Sequence, residues 1–472
     1  MKTNKEIKAG IGYIVGGVLI KGIAFITTPV FTRLLTPSEF GILNLFLSYE
    51  AILAMLMGFQ FAASIKSANI LFSQNGNTLI EYARTVVLLV FGHSLFVLII
   101  TNVFNSQVLA LTGIANRLMI NLLVLISCGN AILTVYNSYV SISYSYKKYV
   151  AIAMINAVSN IVISLVLILT LMRSKAAFGR ILGYVIPYIM VSIYVVYVFF
   201  RGQKKTCIVQ RKYLKFAYRY STPLLPHGFA EVMLGQFGKL TVNNNLGKSS
   251  MGIYSLSYNV YSIIGIIRIA MDYVFGPFFF DKRKTGDITT LRRTISAYSR
   301  SLAIVSIGIM LLSSEIVRIL GSPEYFDARF TAIPLVCASY FVFIISVISQ
   351  EEYYSQRTHL VSIASVITMG LNIVLNLALV PMYGSLGAAI ATAISYLIMI
   401  WIHAYIVIHV LVSKTFDWRS IVLDCAFVLV MAFISFIVVD MVIIRFCCLT
   451  VMAGLGLFQF HSLLQIVNKK RN

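Results

Sequence analysis

Charge is scarce in this chain. Asp, Glu, Lys and Arg together make up 11% of its 472 residues, where a water-soluble domain carries about a quarter. A chain this poor in charge cannot cover a water-facing surface. Acidic residues are the scarcest, 16 against 38 Lys and Arg, which leaves a net charge of +22. Cysteine is also sparse: Cys128, Cys207, Cys337, Cys425, Cys447 and Cys448 include no C-x-x-C pair. That excludes a disulfide framework and a zinc knuckle, and leaves small buried hydrophobes. Catalytic motifs are missing too. Gly247-Lys248-Ser249 echoes the end of a phosphate loop, but Val242 stands where its first glycine belongs and no strand precedes it. Gly10, Gly12 and Gly16 miss the dinucleotide fingerprint, and Gly12 and Gly16 suit close helix packing instead. No Asp-x-Asp and no H-E-x-x-H occurs.

What the chain has is apolar length. Hydrophobic residues reach 59%, and they come in blocks close to the ~20 residues that span a bilayer. Fourteen blocks are expected as transmembrane helices: 11–31, 40–62, 84–104, 116–138, 149–171, 178–200, 220–242, 251–275, 297–317, 331–350, 360–382, 386–411, 420–440 and 444–467. The fold class is an all-α polytopic membrane protein. The first block carries Lys21 and runs straight into the second, as a retained signal anchor does rather than a cleaved leader. The basic residues lie in short segments between blocks, which excludes a nucleic-acid surface. They suit instead the anionic inner leaflet. With the N-terminus inside, 26 of the 38 Lys and Arg fall in inner segments and nine in outer ones. Both termini are then cytoplasmic, which requires an even number of spans.

The chain repeats itself. At a shift of 211, Leu35, Ser38, Gly41, Ile42 and Leu45 meet Leu246, Ser249, Gly252, Ile253 and Leu256. At 212, Asn160, Ile161, Val162, Leu165 and Leu167 meet Asn372, Ile373, Val374, Leu377 and Leu379, and Ala176, Ala177 and Tyr184 meet Ala388, Ala389 and Tyr396. Six spans per repeat is an even number, so the repeats run parallel and enclose a central cavity. The expected organisation is a six-helix lobe over 1–202, a basic linker over 203–219, a second six-helix lobe over 220–412 and an extra helix pair over 413–472. Residues 201–219 hold seven basic residues and no acidic one. Tyr213, Phe216 and Tyr220 recur there at helical spacing. The pattern suits an amphipathic surface helix and a solvated loop equally.

Ionisable residues inside spans are costly, about 2.5–3.5 kcal/mol on insertion scales, and so mark partners or watery cavities. Lys21, Lys239 and Arg268 are the candidate cavity cations. Glu50, Glu231, His227 and Asp272 are the candidate ion carriers. Competing structural readings stand beside them: Arg268 and Asp272 are spaced to pair with each other, and Glu50 to pair with Lys21. His93 and His403 read as packing residues. Asn156, Asn160, Asn372 and Asn376 read as interhelical hydrogen-bonding groups.

The run GYIVGGVLIKGIAFITTPVFTRLLTPSEFGILNLFLS at 12–48, with Arg33 to Gly41 its most specific part, resembles the opening of the polysaccharide biosynthesis flippases. These are the O-antigen and capsule transporters of the multidrug/oligosaccharidyl-lipid/polysaccharide superfamily. NIVLNLALVPMYGSLGAAIATAISY at 372–396 is similar to the family's eleventh and twelfth spans. The resemblance implies a non-enzymatic flippase of the bacterial inner membrane that moves undecaprenyl-pyrophosphate-linked oligosaccharide outward by alternating access. It implies no cofactor beyond a coupling H+ or Na+. Its partners would be membrane lipids, a polysaccharide polymerase and a chain-length regulator. A multidrug antiporter of the same superfamily is the alternative, but it would favour acidic cavity residues where Lys21 stands. A membrane glycan polymerase would need a large external loop, and the spacing of the blocks leaves no room for one.

The charge bias makes one topological prediction. A reporter active only in the periplasm, inserted at residue 5, is expected to stay inactive; activity there would reverse the orientation.

Overall fold

A computed structural model of the protein describes residues 2–72, 78–142, 145–201 and 209–468; side chains are described within those ranges except at 2–11, 13, 14, 20, 21, 24, 78, 273 and 457–468. Among the described residues, every regular element is a helix. A chain in hydrocarbon must satisfy its backbone N–H and C=O groups internally, and helices do so within one segment. Among the described residues, ten helical segments are long and apolar enough to cross a membrane. The chain divides into two compact units.

The first unit comprises Met1–Leu35 and Glu39–Gln236. It holds α1 (Lys2–Leu34), α2 (Pro37–Gly58), α3 (Phe61–Phe72), α4 (Thr78–Val103), α5 (Asn105–Thr112), α6 (Arg117–Ile142), α7 (Tyr146–Val166), α8 (Ala176–Phe200) and α9 (Arg211–Ser221). The Arg33–Gly41 motif makes the first turn between helices. Pro37 opens α2, where its missing N–H costs nothing, and Glu39 places a carboxylate in the first turn, where the helix dipole favours it. α1 packs on α7, and α7 on α8. Gly16 permits the first contact: a Cβ there would lie 2.5 Å from Val150, and one at Gly12 would strike Tyr146. Both glycines therefore serve helix packing, as their spacing indicated. Of the basic stretch, residues 211–219 lie in a helix, α9, which buries Tyr213 and Ala217. Tyr213 donates to Glu81 of α4 at 3.1 Å.

The second unit contains Phe237–Asn472 with Thr36–Ser38. Its helices are most of α10 (Leu225–Thr285), then α11 (Ile288–Leu311), α12 (Ser313–Leu320), α13 (Ala328–Tyr354), α14 (Thr358–Tyr405), α15 (Trp418–Ile437) and α16 (Val442–Asn468). α13 packs against α11, α14 and α15. Between α10 and α11, Asp287 caps the new helix by accepting from the Thr290 N–H at 3.1 Å, and it pairs with Lys282 at 3.0 Å. The Lys282 bond, then the Thr290 bonds, hold its carboxyl below the usual range.

The count of ten differs from the fourteen blocks for a definite reason. The segment Thr358–Val410 has 53 residues, which would extend about 80 Å as one helix, against a hydrocarbon core of about 30 Å. It does not run straight. Gly384 has φ 62° and ψ −142°, and the chain folds back there: Asn372 donates to Ser395 at 3.1 Å across the two arms. α10 folds back in the same way at Gly247, with φ 83° and ψ 178°; Lys239 on one arm lies over the Tyr258 ring on the other. Gly247 is thus a turn residue and not part of a phosphate loop. Its conformation is accessible to glycine almost alone.

A Cβ at Gly247 would meet no atom within 4 Å, so a substitution there isolates backbone strain. Gly247→Ala is expected to destabilise the protein by about 1–3 kcal/mol, read as a lower melting temperature in detergent. An unchanged melting temperature would show that this turn adjusts freely.

Candidate functional site

Within the first unit, α1, α2, α6, α7 and α8 surround a cavity of about 350 Å³, inside the range of about 300–1,000 Å³ common to ligand sites. Its polar lining comes from helical stripes. Asn156 and Asn160 lie one turn apart on α7, and Arg180, Tyr184 and Tyr188 lie at successive turns of α8. Residues four apart share a helix face, so each helix turns one polar stripe to the same space. Asn130 and Asn137 of α6 complete the amide groups.

Among the described residues, Arg180 is the only charged one that lines this cavity. Its Nη1 donates to Asn160 Oδ1 and, at 2.6 Å, to Ser164 Oγ. The guanidinium lies 3.8 Å over the Phe31 ring, an attraction between the cation and the ring face. Its Nε is buried with no hydrogen-bond partner among the described residues. The guanidinium is therefore anchored on one side and still has donor capacity, an arrangement suited to a phosphate oxygen. Close helix contact holds the anchor in place. A Cβ at Gly183 would collide with Ser164, so glycine at 183 lets α8 approach α7 closely enough for Arg180 to reach across.

Glu50 stands behind the cavity wall. It is 5% exposed, and Asn130 donates to its carboxylate at 2.7 Å. Tyr184 and Tyr188 pack together with ring centroids 4.8 Å apart.

The remaining candidates are dispersed. Lys21 lies on α1, but its side chain is outside the described residues. His227 and Glu231 lie 3.7 Å apart, with the Glu231 side chain 67% exposed. In the second unit, Lys239 sits 4.5 Å over the Tyr258 ring. Arg268 and Asp272 pair at 2.9 Å, and Ser346 donates to Asp272 at 3.0 Å; this is the structural pairing that their spacing allowed. The asparagines separate by unit. Asn376 donates to Asn372, and Asn372 to Ser395, whereas Asn160 accepts from Arg180.

Two placements correct the reading of the charges. Arg180 and Arg445 are two of the nine Lys and Arg counted with outer segments, although each falls just inside an expected span, 178–200 and 444–467. Arg180 lies in α8, lining the cavity. Arg445 is 3% exposed and grips Glu315 through both nitrogens at 2.7 and 2.8 Å. Segment counting treats an arginine near a span end as loop, yet a partner one helix away can hold it inside. Arg180 and Tyr188 were not singled out as site residues from the sequence, and Tyr184 only as a repeat match, although their spacing of four was there to be read. At the 212-residue shift Arg180 corresponds to Thr392, which donates to its own helix carbonyl at Ala388. The cation is thus a departure from the repeat.

The fold is that of a class of transporters. A MATE-family multidrug transporter of the MOP superfamily, inward-facing, superposes with a TM-score of 0.63 at 13% identity over 81% of this chain and 92% of that one. The lipid II flippase MurJ, in an inward closed conformation, superposes with a TM-score of 0.68 at 15% identity over 97% of this chain and 99% of that one. A MOP-superfamily transporter from Pyrococcus furiosus, described as having a binding pocket of reverse polarity, gives 0.55 at 12% identity over 86% and 96%. No curated protein matches the chain. A family model described as polysaccharide biosynthesis protein matches residues 7–281. The chain is a multi-pass membrane protein and belongs to that polysaccharide biosynthesis family.

The Arg180–Asn160 contact is testable by a double-mutant cycle. Asn160→Leu removes a buried acceptor and is expected to cost about 1–3 kcal/mol, lowering the melting temperature. In an Arg180→Met background the same change is expected to cost clearly less. Equal losses in both backgrounds would mean that the two side chains do not interact.

Proposed function

We propose that this protein is a flippase that carries undecaprenyl-pyrophosphate-linked oligosaccharide, an O-antigen or capsule repeat unit, from the inner to the outer leaflet of a bacterial inner membrane. The observation that carries this reading is the cavity of the first unit, with Arg180 as its charged lining residue among amides and tyrosines. The substrate has an anionic pyrophosphate and polar sugars, and both are expensive to move through hydrocarbon unaided. The arginine would take a phosphate oxygen. Asn130, Asn137, Asn156 and the tyrosine hydroxyls would hydrogen-bond the sugars. Family membership and a fold shared with a lipid II flippase support the substrate class. An organic cation would find an arginine here and no lining carboxylate, which disfavours a multidrug antiporter.

The topology proposed with it has fourteen spans. Counting the two folded-back segments as two spans each, and adding α1 and α16, gives two six-helix lobes and a trailing pair, with both termini cytoplasmic. Transport would proceed by alternating access. Lys21, Lys239 and Arg268 are proposed as further cations along the path, and Glu50 as the carboxylate nearest the substrate. A polysaccharide polymerase and a chain-length regulator are the proposed partners downstream.

Arg180→Ala is expected to abolish surface polysaccharide while protein level stays normal, and Arg180→Lys to retain part of it, since lysine keeps the charge but not the fork. Immunoblots of surface glycan and of membrane protein read both. Wild-type glycan in Arg180→Ala would refute the assignment.

A further inference from the structure

Two carboxylates follow one another at the end of α13, and they have different partners. Successive helical residues point about 100° apart, so the two face different neighbours. Glu351 is fully engaged: Arg283 holds its two oxygens at 2.6 and 3.0 Å, and Thr415 donates at 3.0 Å. Glu352 turns to His403 on the second arm of α14, with Nδ1 2.5 Å from Oε1. Both side chains are completely buried. Among the described residues, His403 Nε2 and Glu352 Oε2 have no hydrogen-bond partner.

The surrounding charges are committed elsewhere. On α11, Arg300 pairs with Asp424 of α15 at 3.7 Å, Arg292 donates to the carbonyls of Lys414 and Thr415, and Arg293 is exposed. On α12, Glu315 is held by Arg445, and Arg318 lies over the Phe326 ring. Arg419 on α15, His359 on α14 and His409 in the turn after α14 are exposed. Among the described residues, no ion pair or hydrogen bond joins the Glu352 and His403 side chains to any other charged group.

A contact of 2.5 Å places a proton between Nδ1 and Oε1. The second ring nitrogen then decides the charge. With Nε2 protonated, the pair is imidazolium and carboxylate, with no net charge. With Nε2 bare and no proton on Oε2, it is neutral imidazole and carboxylate, with one negative charge buried and uncompensated. A buried charge without a counter-ion costs several kcal/mol. Release of a proton from the occluded pair therefore leaves that charge buried unless water reaches the pair or the two helices part. The step balances simply: the N–H bond at Nε2 breaks, its electron pair stays on nitrogen, and the proton passes to water.

We infer that Glu352 and His403 form a proton-binding site in the second unit, with His403 Nε2 as the exchanging atom, and that its loading and release couple transport to a proton gradient. The coupling rests on the flippase reading above; the binding site does not. None of Glu50, His227, Glu231 and Asp272 belongs to it.

Histidine ring nitrogens labelled with 15N report protonation directly in the full-length protein in detergent. The His403 signal is identified by its loss in His403→Gln. In wild type both of its nitrogens are expected to carry protons at neutral pH, and in Glu352→Gln one of those protons is expected to be lost at the same pH. Glu352→Asp keeps the carboxylate and is expected to keep the imidazolium, which serves if the Gln variant does not fold. A wild-type His403 that stays neutral from about pH 5 to 8 would overturn the site. In proteoliposomes, flipping of a fluorescent polyprenyl-pyrophosphate-linked sugar is measured with and without a pH gradient. The ratio is expected to depart from one in wild type and to return to one in Glu352→Gln. A gradient effect that persists in Glu352→Gln would overturn the coupling. If wild type moves no labelled lipid, the flippase reading fails, and the histidine signals alone decide the proton site.

Discussion

The structure depends on one constraint: in an apolar slab, every polar group must find its partner within the protein. The backbone meets it by becoming helix throughout, since a helix satisfies its own N–H and C=O groups. The side chains meet it by pairing. Arg445 takes both oxygens of Glu315, Arg283 takes both of Glu351, and Arg268 pairs with Asp272. These pairs neutralise charge and bind one helix to another, or one turn to the next. They are the background against which the exceptions can be recognised.

Two incompletely satisfied groups stand out by their surroundings, although other buried atoms, Arg445 Nε and Tyr254 Oη among them, also have no partner among the described residues. Arg180 is anchored to Asn160 and Ser164 and keeps a bare Nε beside a polar cavity. Glu352 and His403 satisfy each other and leave one atom bare on each side. A buried donor or acceptor without a partner carries a desolvation cost of about 1–3 kcal/mol. Such a cost is tolerable where the missing partner arrives during function, an anion in the first case and a proton in the second. Each unit of the molecule thus has its own polar centre, and the repeat relation between them is broken at the residues that matter. Thr392 takes the place of Arg180 in the second unit, and there the asparagines bond to one another.

The two glycine turns follow from the same constraint. A helical segment of 53 residues is far too long for one crossing. Reversing it without a loop exposes the fewest backbone groups, and a tight reversal demands a conformation that glycine supplies. Gly247 and Gly384 provide it in α10 and α14.

Much of this was legible in the residues alone. Low charge and block length determined the class, because they record how much of the chain can face water. The helix-packing role of Gly12 and Gly16 followed from spacing along one element, which sequence reports directly; spacing also allowed the Arg268–Asp272 pair and a helix over the basic linker, each beside an alternative reading. Two things waited for tertiary structure. The breaks between expected spans at 243–250 and 383–385 anticipate the reversals, but the positive-φ turns at Gly247 and Gly384 that make them show only in the structure. Arg180 counted as loop and His403 as packing, since the meaning of an ionisable residue in a membrane is set by its neighbour on another helix. Asn160 stands 20 residues from Arg180, and Glu352 51 from His403; no periodicity within a helix reaches across such distances. Sequence determined that this chain spans a membrane and pairs its charges, and only the packing of helices decided which charges were left with work to do.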